Sequence, residues 1–390
     1  MKKFQREYIG LIQAAFTGTP IELSPDFDWE KAVNLSKKHN IAPIIFYGAV
    51  SCNISKENEY MRELYQLTLQ SLKISLRQTH EIKQIESAFE KEGIDYMPLK
   101  GTILKTVYPK PEMRTMGDAD VLIRLEQYSQ IQEIMTSLGF EFQYESDHEL
   151  VWKKPSLFLE LHKSIMTTYN KDFYHHFGSG WKIANRLPNC CRHEMSAEDF
   201  YIFIFVHFTK HYRISGIGIK HLIDLWVYAN ANPGLDWSHI ENELKKMNLH
   251  KFYLNVKKTI SAWFECKCET EITDLITNVI FNSGQYGSMD MAIVNRSLRN
   301  GDDSALKIKC KRILSTVFLP YSVMKVKYEV LKKAPILLPF AWVIRCFDVL
   351  FNQKNHLNRY MKRMNQINSK QVNENKLALH VVGLDFTCEK

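Results

Sequence analysis

Turn-forming residues are scarce in this 390-residue chain. Gly numbers 16 and Pro 12, together about 7% of residues against roughly 12% in average usage. An all-β architecture needs a turn roughly every 8–12 residues, so the shortage argues against one and predicts a helix-rich chain. The eight cysteines contain no C-x-x-C pair: Cys190 and Cys191 are adjacent, Cys266-Lys267-Cys268 is a lone C-x-C, and Cys52, Cys310, Cys346 and Cys388 stand alone. That spacing supports neither a disulfide framework nor a zinc ribbon, and reduced thiols in a cytoplasmic protein are expected. Also missing is an unbroken apolar run of the ~20 residues that a membrane-crossing helix needs. The longest, 334–351, is interrupted by Arg345 and Asp348 and holds Pro335 and Pro339, which predicts a buried or interfacial helix. At the start of the chain, Lys2, Lys3, Arg6 and Glu7 place charge where a signal peptide would be apolar. No internal repeat or low-complexity segment occurs.

What is present is ordinary for soluble globular domains: 45% hydrophobic and 24% charged residues. The length suits two or three domains. Lys plus Arg exceed Asp plus Glu by 51 to 43, for a net charge of +8. Residues 307–333 hold eight basic side chains and one acidic one, Glu329, with the apolar run directly after them. Such a cluster is either a solvated helical face or an attractor of phosphate or lipid headgroups, so peripheral contact with an anionic membrane is one expectation.

Helical periodicity covers the first eighty residues: Tyr8, Ile9, Leu11, Ile12 and Phe16, then Trp29 to Leu35 behind Asp26 or Asp28 as the cap, then a long helix over 57–92. The pattern changes at Gly93. Short apolar segments at 94–99, 118–123, 140–144, 150–152 and 157–162 read as strands, with helical turns over 101–107 and a helix over 125–138. Helical segments resume at 200–212, 219–229, 237–246 and 251–264. The expected organisation is a helical region 1–92, an α+β core 93–180, a helical domain 181–300, a basic and apolar helical region 301–363, and a polar, partly disordered tail 364–390.

The chemistry concentrates in the core. Asp118 and Asp120 sit two apart on a strand otherwise made of apolar residues, so they share one face. Two desolvated carboxylates side by side cost several kcal/mol unless a cation sits with them, and hard oxygen donors favour Mg²⁺ or Mn²⁺. Glu160 interrupts a second apolar strand, Leu157-Phe158-Leu159-Glu160-Leu161, and would complete a three-carboxylate site if the strands adjoin. Upstream, Leu99-Lys100-Gly101-Thr102 runs from a strand into a helix. There Gly101 permits close approach of a phosphate, the helix N-terminus offers N–H groups, and Lys100 and Thr102 add a charge and a hydroxyl.

The order strand, glycine turn, helix, D-x-D strand, single-acid strand resembles the nucleotidyltransferase superfamily that includes DNA polymerase β. More closely, Met97-Pro98-Leu99-Lys100-Gly101, Tyr108-Pro109, Arg114-Thr115-Met116-Gly117-Asp118-Ala119-Asp120-Val121-Leu122-Ile123 and Leu159-Glu160-Leu161-His162 look like an uncharacterised bacterial nucleotidyltransferase family of that superfamily. Position 102 is Thr where the superfamily has Ser or Gly, and the gap from Gly101 to Asp118 is longer than in many members. The resemblance implies a polymerase β-like core, a small mixed sheet with helices, embedded in helical N- and C-terminal regions. It also implies an enzyme that uses Mg²⁺ (or Mn²⁺) to move a nucleoside monophosphate from an NTP to an acceptor, releasing pyrophosphate. Asp118 and Asp120 would hold one metal at the triphosphate, and Glu160 would complete a second that activates the acceptor. The acceptor, a small molecule, sugar or protein, is not legible, and nucleic acid is not expected as the main substrate.

Further candidates stay open between two roles. Arg114 would bind triphosphate or form a salt bridge with one of the strand acids. His162, two residues after Glu160, would orient a ligand, contact substrate, or be structural. His207, Lys210 and His211 share one helical face, and with no H-E-x-x-H glutamate they fit nucleotide or acceptor binding better than zinc hydrolysis. Asp224 caps that site or pairs with Lys220. A rival reading is a non-catalytic helical scaffold that keeps a degenerate core and docks a partner or a membrane through 307–350.

Overall fold

The computed structural model describes residues 1–55, 57–167, 171–265, 267–285, 287–299, 304–352 and 368–386. Helices form first, where apolar residues recur at helical spacing. Helix α1 (Lys3–Thr17) buries Tyr8, Ile9, Leu11 and Ile12 and closes at Gly18, whose φ of 70° lies in the left-handed region. Helix α2 (Trp29–His39) is capped by Asp28, whose carboxylate accepts from the Lys31 N–H at 2.9 Å. Helix α3 (Ala42–Ser51) is apolar nearly all round and packs on α1. A Cβ placed on Gly48 would lie 2.0 Å from the Leu11 carbonyl oxygen, so this crossing requires glycine. Helix α4 (Glu59–Lys91) runs 33 residues without Pro or Gly, close to the expected 57–92.

A mixed sheet follows. Its strands are β1 (Tyr96–Pro98), β2 (Asp118–Ile123), β3 (Glu141–Glu145), β4 (Glu149–Lys154) and β5 (Leu157–His162), in spatial order β1-β2-β5-β4-β3. Strands β2 and β5 pair in parallel; the other pairs are antiparallel. Helix α5 (Gly101–Leu104) and 3-10 turns at Lys105–Val107 and Pro111–Met113 fill the long gap before β2. Helix α6 (Tyr128–Ser137) and the β3–β4 hairpin carry the chain from β2 to its parallel neighbour β5. Alternate residues of the central strands (Ala119, Val121, Leu159, Leu161, Leu150 and Trp152) form one core face with Ile85 and Phe89 of α4 and Ile131, Ile134 and Met135 of α6. The intervening residues, the acids among them, fall on the opposite face.

The chain then passes through α7 (Lys171–Phe177), a two-stranded ribbon of β6 (Asn185–Arg186) and β7 (His193–Glu194), and helices α8 (Ala197–Ser215), α9 (Ile219–Ala231), α10 (Trp237–Lys246), α11 (His250–Phe264) and α12 (Glu271–Asn282). Helix α7 and the ribbon were not anticipated, because both are too short to show a period. Residues 1–212 and 216–287 form one compact unit, which holds the sheet. A second unit comprises Arg213–Ser215 and Ser288–Phe386.

That second unit is helical: α13 (Met289–Arg299), α14 (Ala305–Val317), α15 (Tyr321–Lys327), α16 (Val330–Lys333), α17 (Leu338–Asn352) and α18 (Ser369–Val382). Helix α17 is the apolar run of the sequence. Pro335 opens the 3-10 turn before it, and Pro339 lies in its first turn, where a missing N–H leaves no bond unmade. Helix α18 lies within the segment expected as a tail. The segment is mostly polar, but Val372, Leu379 and Val382 are buried at spacings that make one narrow stripe, and Val372 packs with Ile293, Val294, Ala305 and Ile308. Residues 364–367 and 387–390 lie outside the described residues.

The close crossing of α1 and α3 is testable. Gly48→Ala has to push two helix backbones apart, which should cost about 1–3 kcal/mol by chemical denaturation. An unchanged midpoint would show that the crossing is looser than described.

Candidate functional site

Strand register assembles the acidic face. In the parallel β2–β5 pair, Asp120 stands opposite Glu160 and Leu122 opposite His162, while Asp118 stands opposite Phe158. In the antiparallel β4–β5 pair, His162 stands opposite Glu149. Asp120, Glu160 and His162 are thereby gathered, with donor atoms within 4.8 Å of one another. The expected trio was Asp118, Asp120 and Glu160. Register also brings His162 to Asp120 and Glu160, because it and not sequence spacing sets which side chains meet, and Asp118 stays on the same face two residues along β2.

Asp120 is 4% exposed and carries two partners on one oxygen. Lys100 Nζ donates to Oδ1 at 2.6 Å, and His162 Nε2 lies 2.8 Å from the same atom. Burial works against its charge, but Lys100 and His162 outweigh it and hold the carboxyl well below the usual carboxylate range. The reverse holds for Asp118: burial first, then repulsion from Asp120 and Glu160, push it up to about 6 against the pull of Lys100 and Lys220. His162 is raised as well; burial opposes its charge, and the bonds to Asp120 and Glu160, the latter at 3.5 Å, overcome that. Lys100 is also raised, because Asp120, Glu160 and Asp118 outweigh its burial. Its backbone has φ 41° and ψ −110°, an unusual conformation for a residue with a Cβ, stabilised by the side chain it delivers.

The rest of the expected phosphate cradle is arranged differently. Gly101 opens α5 and is buried; a Cβ there would lie 2.9 Å from Met116 Sδ, so packing alone already favours glycine. Thr102 borders a small cavity with Tyr96, Val121 and Leu159 on the core face, and its hydroxyl has no partner among the described residues. Arg114 corrects both readings offered for it. Its guanidinium is forked on Asp224 of α9, with Nε to Oδ1 at 2.6 Å and Nη2 to Oδ2 at 2.9 Å, and Nη1 donates to the Thr115 carbonyl. Tyr108 donates to the same Asp224 at 2.7 Å. Arg114 thus ties the β2 approach to α9 and is neither paired with a strand acid nor open to a triphosphate. Asp224 correspondingly pairs with Arg114 rather than Lys220.

Helices α8 and α9 supply further bases, half-buried except for the buried Lys220. Lys210 is lowered to about 8 by burial and by Lys100, with Asp120, Glu149 and Glu160 partly restoring it. His207 and His211 face each other with Nε2 atoms 3.1 Å apart, and burial drives the first well below its usual value and the second to about 3. At neutral pH both rings are uncharged, one donating to the other. Lys220, lowered to about 7 mainly by burial and then by Arg114, donates to the Thr115 carbonyl at 3.1 Å. Sequence reasoning named Lys220 only as a partner for Asp224 and passed over His148, Glu149 and His221. A lysine inside the apolar run Ile219 to Leu225 was the available signal.

Asp224→Asn isolates the clamp in a test. It keeps the shape and one acceptor but leaves the Arg114 guanidinium, 5% exposed, without its counter-charge. Breaking a buried pair in this way should cost about 3–5 kcal/mol in denaturant unfolding. A loss below ~1 kcal/mol would mean that water reaches the guanidinium.

Comparison with known proteins places this geometry in a family. No curated protein matches the chain. Among solved structures, the antibiotic-resistance factor ANT(2'')-Ia aligns over 46% of this chain and 94% of its own, with 12% identity and a TM-score of 0.33, too weak a likeness to carry an argument. Residues 25–265, from before α2 to the end of α11 and so across the whole sheet and its acidic face, match the family described as uncharacterised nucleotidyltransferase. The match covers more than half of the chain, which therefore belongs to that family of nucleotidyltransferases.

Proposed function

We propose that the chain transfers a nucleoside monophosphate from an NTP to an acceptor hydroxyl or phosphate, with pyrophosphate as the leaving group. The observation that carries this reading is the crowding on one sheet face. Asp120 and Glu160 are side by side in register with Asp118 adjacent, and Asp118 is displaced to about 6 by burial and by its acidic neighbours. Such a donor set suits a hard divalent cation, with Asp118, Asp120 and Glu160 as the residues that would hold it. Mg²⁺ or Mn²⁺ bound there supplies a Lewis acid for the triphosphate and for the acceptor oxygen.

The chain's own residues do the positioning. Lys100 keeps Asp120 ionised from a distance of 2.6 Å, and His162 holds that carboxylate from the neighbouring strand. Lys210, lowered to about 8 and within the electrostatic reach of Asp120, Glu149 and Glu160, would meet an anionic group brought to the acids. His207 and His211 stay neutral, so on this reading they add no charge that would compete with the cation. In this reading catalysis is positioning and charge neutralisation.

Thermal melting tests it through pH. Asp118 is raised from the ordinary 3.8 to about 6, so it favours the folded state below pH 4 and that contribution is lost as pH rises through 6. A cation needs the ionised carboxylate. The Tm gain from Mg²⁺ with a non-hydrolysable nucleoside triphosphate should therefore be small at pH 5 and larger at pH 7.5, and absent in Asp120→Asn. Equal gains at both pH values, or a full gain in Asp120→Asn, would sink the assignment. A screen of labelled NTPs against metabolite extract then looks for the nucleotidylated acceptor.

A second feature favours peripheral contact with an anionic membrane. Among the described residues no helix is long and apolar enough to cross a membrane. Yet Ile336, Phe340, Val343, Ile344 and Phe347 form one exposed stripe at i, i+4, i+7, i+8 and i+11, with Phe340 68% exposed. The opposite side of α17 packs on Met324 and Leu331. The basic residues of α14 to α16 belong to the same unit. Basic residues near an anionic surface contribute about 1 kcal/mol each, so co-sedimentation with anionic vesicles should exceed that with neutral ones and fall at high salt. Equal, negligible binding to both would retire the contact.

A further inference from the structure

One nitrogen on the acidic face lacks a partner. His162 is 4% exposed, and its Nε2 is committed to Asp120 at 2.8 Å. Its Nδ1 is buried and has no hydrogen-bond partner among the described residues. Burying such an atom is unfavourable unless something meets it. The neighbours on that flank are a histidine and a carboxylate. Glu149 stands directly opposite His162 across the β4–β5 pair. The His148 and His162 ring centroids are 6.0 Å apart, and His148 Nε2 lies 3.1 Å from Glu149 Oε2. One donor atom each from His148, Glu149 and His162 falls within 4.8 Å of the other two.

We propose that His148, Glu149 and His162 form a transition-metal site of Zn²⁺ type beside the acidic face, separate from any cation held by Asp118, Asp120 and Glu160. The donor chemistry sets the class of ion. Two imidazoles and one carboxylate suit zinc and its neighbours and do not suit Mg²⁺, which prefers oxygen and retains its water. The surroundings orient the donors. Ser146 Oγ lies 3.3 Å from His148 Nδ1 and accepts the Glu149 N–H at 3.3 Å, which turns His148 Nε2 toward the Glu149 carboxylate. The turn that carries them is closed by Ser146 N–H donating to the Glu149 carbonyl at 2.8 Å. With His148 25% and Glu149 14% exposed, an ion can reach the site from solvent.

Occupation of Nδ1 would fix the proton of His162 on Nε2, where it donates to Asp120. His162 would then be a positioning residue, linking the outer ion to the carboxylate through one ring. The proposal stands on side-chain geometry and does not depend on nucleotidyl transfer.

The test uses the full-length protein, stripped with chelator and titrated with Zn²⁺ and Co²⁺. Metal content is read by mass spectrometry, and the Co²⁺ visible spectrum reports nitrogen ligation. Wild type should hold one equivalent that millimolar Mg²⁺ does not displace. His148→Ala and Glu149→Gln should abolish the one-equivalent site, whereas Asp120→Asn, which keeps an oxygen to accept from His162 Nε2, should still bind one equivalent, weakened by about tenfold at most. Absence of a stoichiometric site in wild type overturns the proposal. So does loss in Asp120→Asn with retention in His148→Ala, which would put the ion on Asp120, Glu160 and His162. Because His148→Ala could disturb the hairpin, circular dichroism checks its fold and His148→Gln provides a second variant. The Mg²⁺–nucleotide melting gain is read on the same wild-type preparation. Its failure with Co²⁺ still bound overturns the transfer reading and leaves the metal site standing.

Discussion

A carboxylate buried on β2 sets the terms for everything around it. Asp120 is nearly inaccessible and must either be neutral or be surrounded by positive charge, because desolvating an isolated ion costs several kcal/mol. Lys100 and His162 provide that charge from opposite sides: the first from the loop before α5, the second from β5. The strained backbone at Lys100, with φ 41°, follows from this need. A conformation that costs about 1–3 kcal/mol is tolerable where it delivers an ammonium to a carboxylate that would otherwise be unpaired. The parallel pairing of β2 with β5 sets Asp120 opposite Glu160 and brings His162 within reach.

The opposite face of the same strands explains why the acids can crowd at all. Ala119, Val121, Leu159 and Leu161 anchor β2 and β5 to α4 and α6, so the backbone that carries the acids is held by burial unrelated to their charge. Period-two alternation divides the two tasks residue by residue. The Arg114–Asp224 clamp adds a tie that the sheet cannot supply, joining the approach to β2 with α9 across 110 residues of sequence.

Local patterns carried the sequence reading a long way. Asp118–Ile123 and Leu157–His162 are strands with the bounds expected, α4 falls within two residues of its expected ends, and the paired acids lie on one face as period two requires. What failed to show was whatever depends on partners far along the chain. Arg114 sits four residues before Asp118, yet its partner is Asp224, and no spacing rule reaches that far. His162 looked secondary beside Glu160, and only the register with β2 reveals that it touches Asp120. In α18 a polar segment becomes helix because Val372 finds a pocket made by α13 and α14, again a distant contact. The family resemblance is carried by the elements with local signals, and the corrections concern side chains whose partners are remote.

The lysines of the face divide according to what each one touches. Lys100 contacts a carboxylate and is raised, whereas the half-buried Lys210 and the buried Lys220 have no such contact among the described residues and fall to about 8 and about 7. Burial lowers the second pair and nearby cations lower it further, so near neutral pH these ammonium groups hold their protons weakly. An anion placed among them acts in the opposite sense, favouring the charged form and raising both values. On the nucleotidyl-transfer reading that anion is the triphosphate, whose negative charge would draw protons onto Lys210 and Lys220 as it binds. The face would then respond to charge: one lysine spent on Asp120 to keep that acid ionised, and two held close to their titration points. The same unpaired burial that makes them costly in isolation makes them sensitive to an incoming anion.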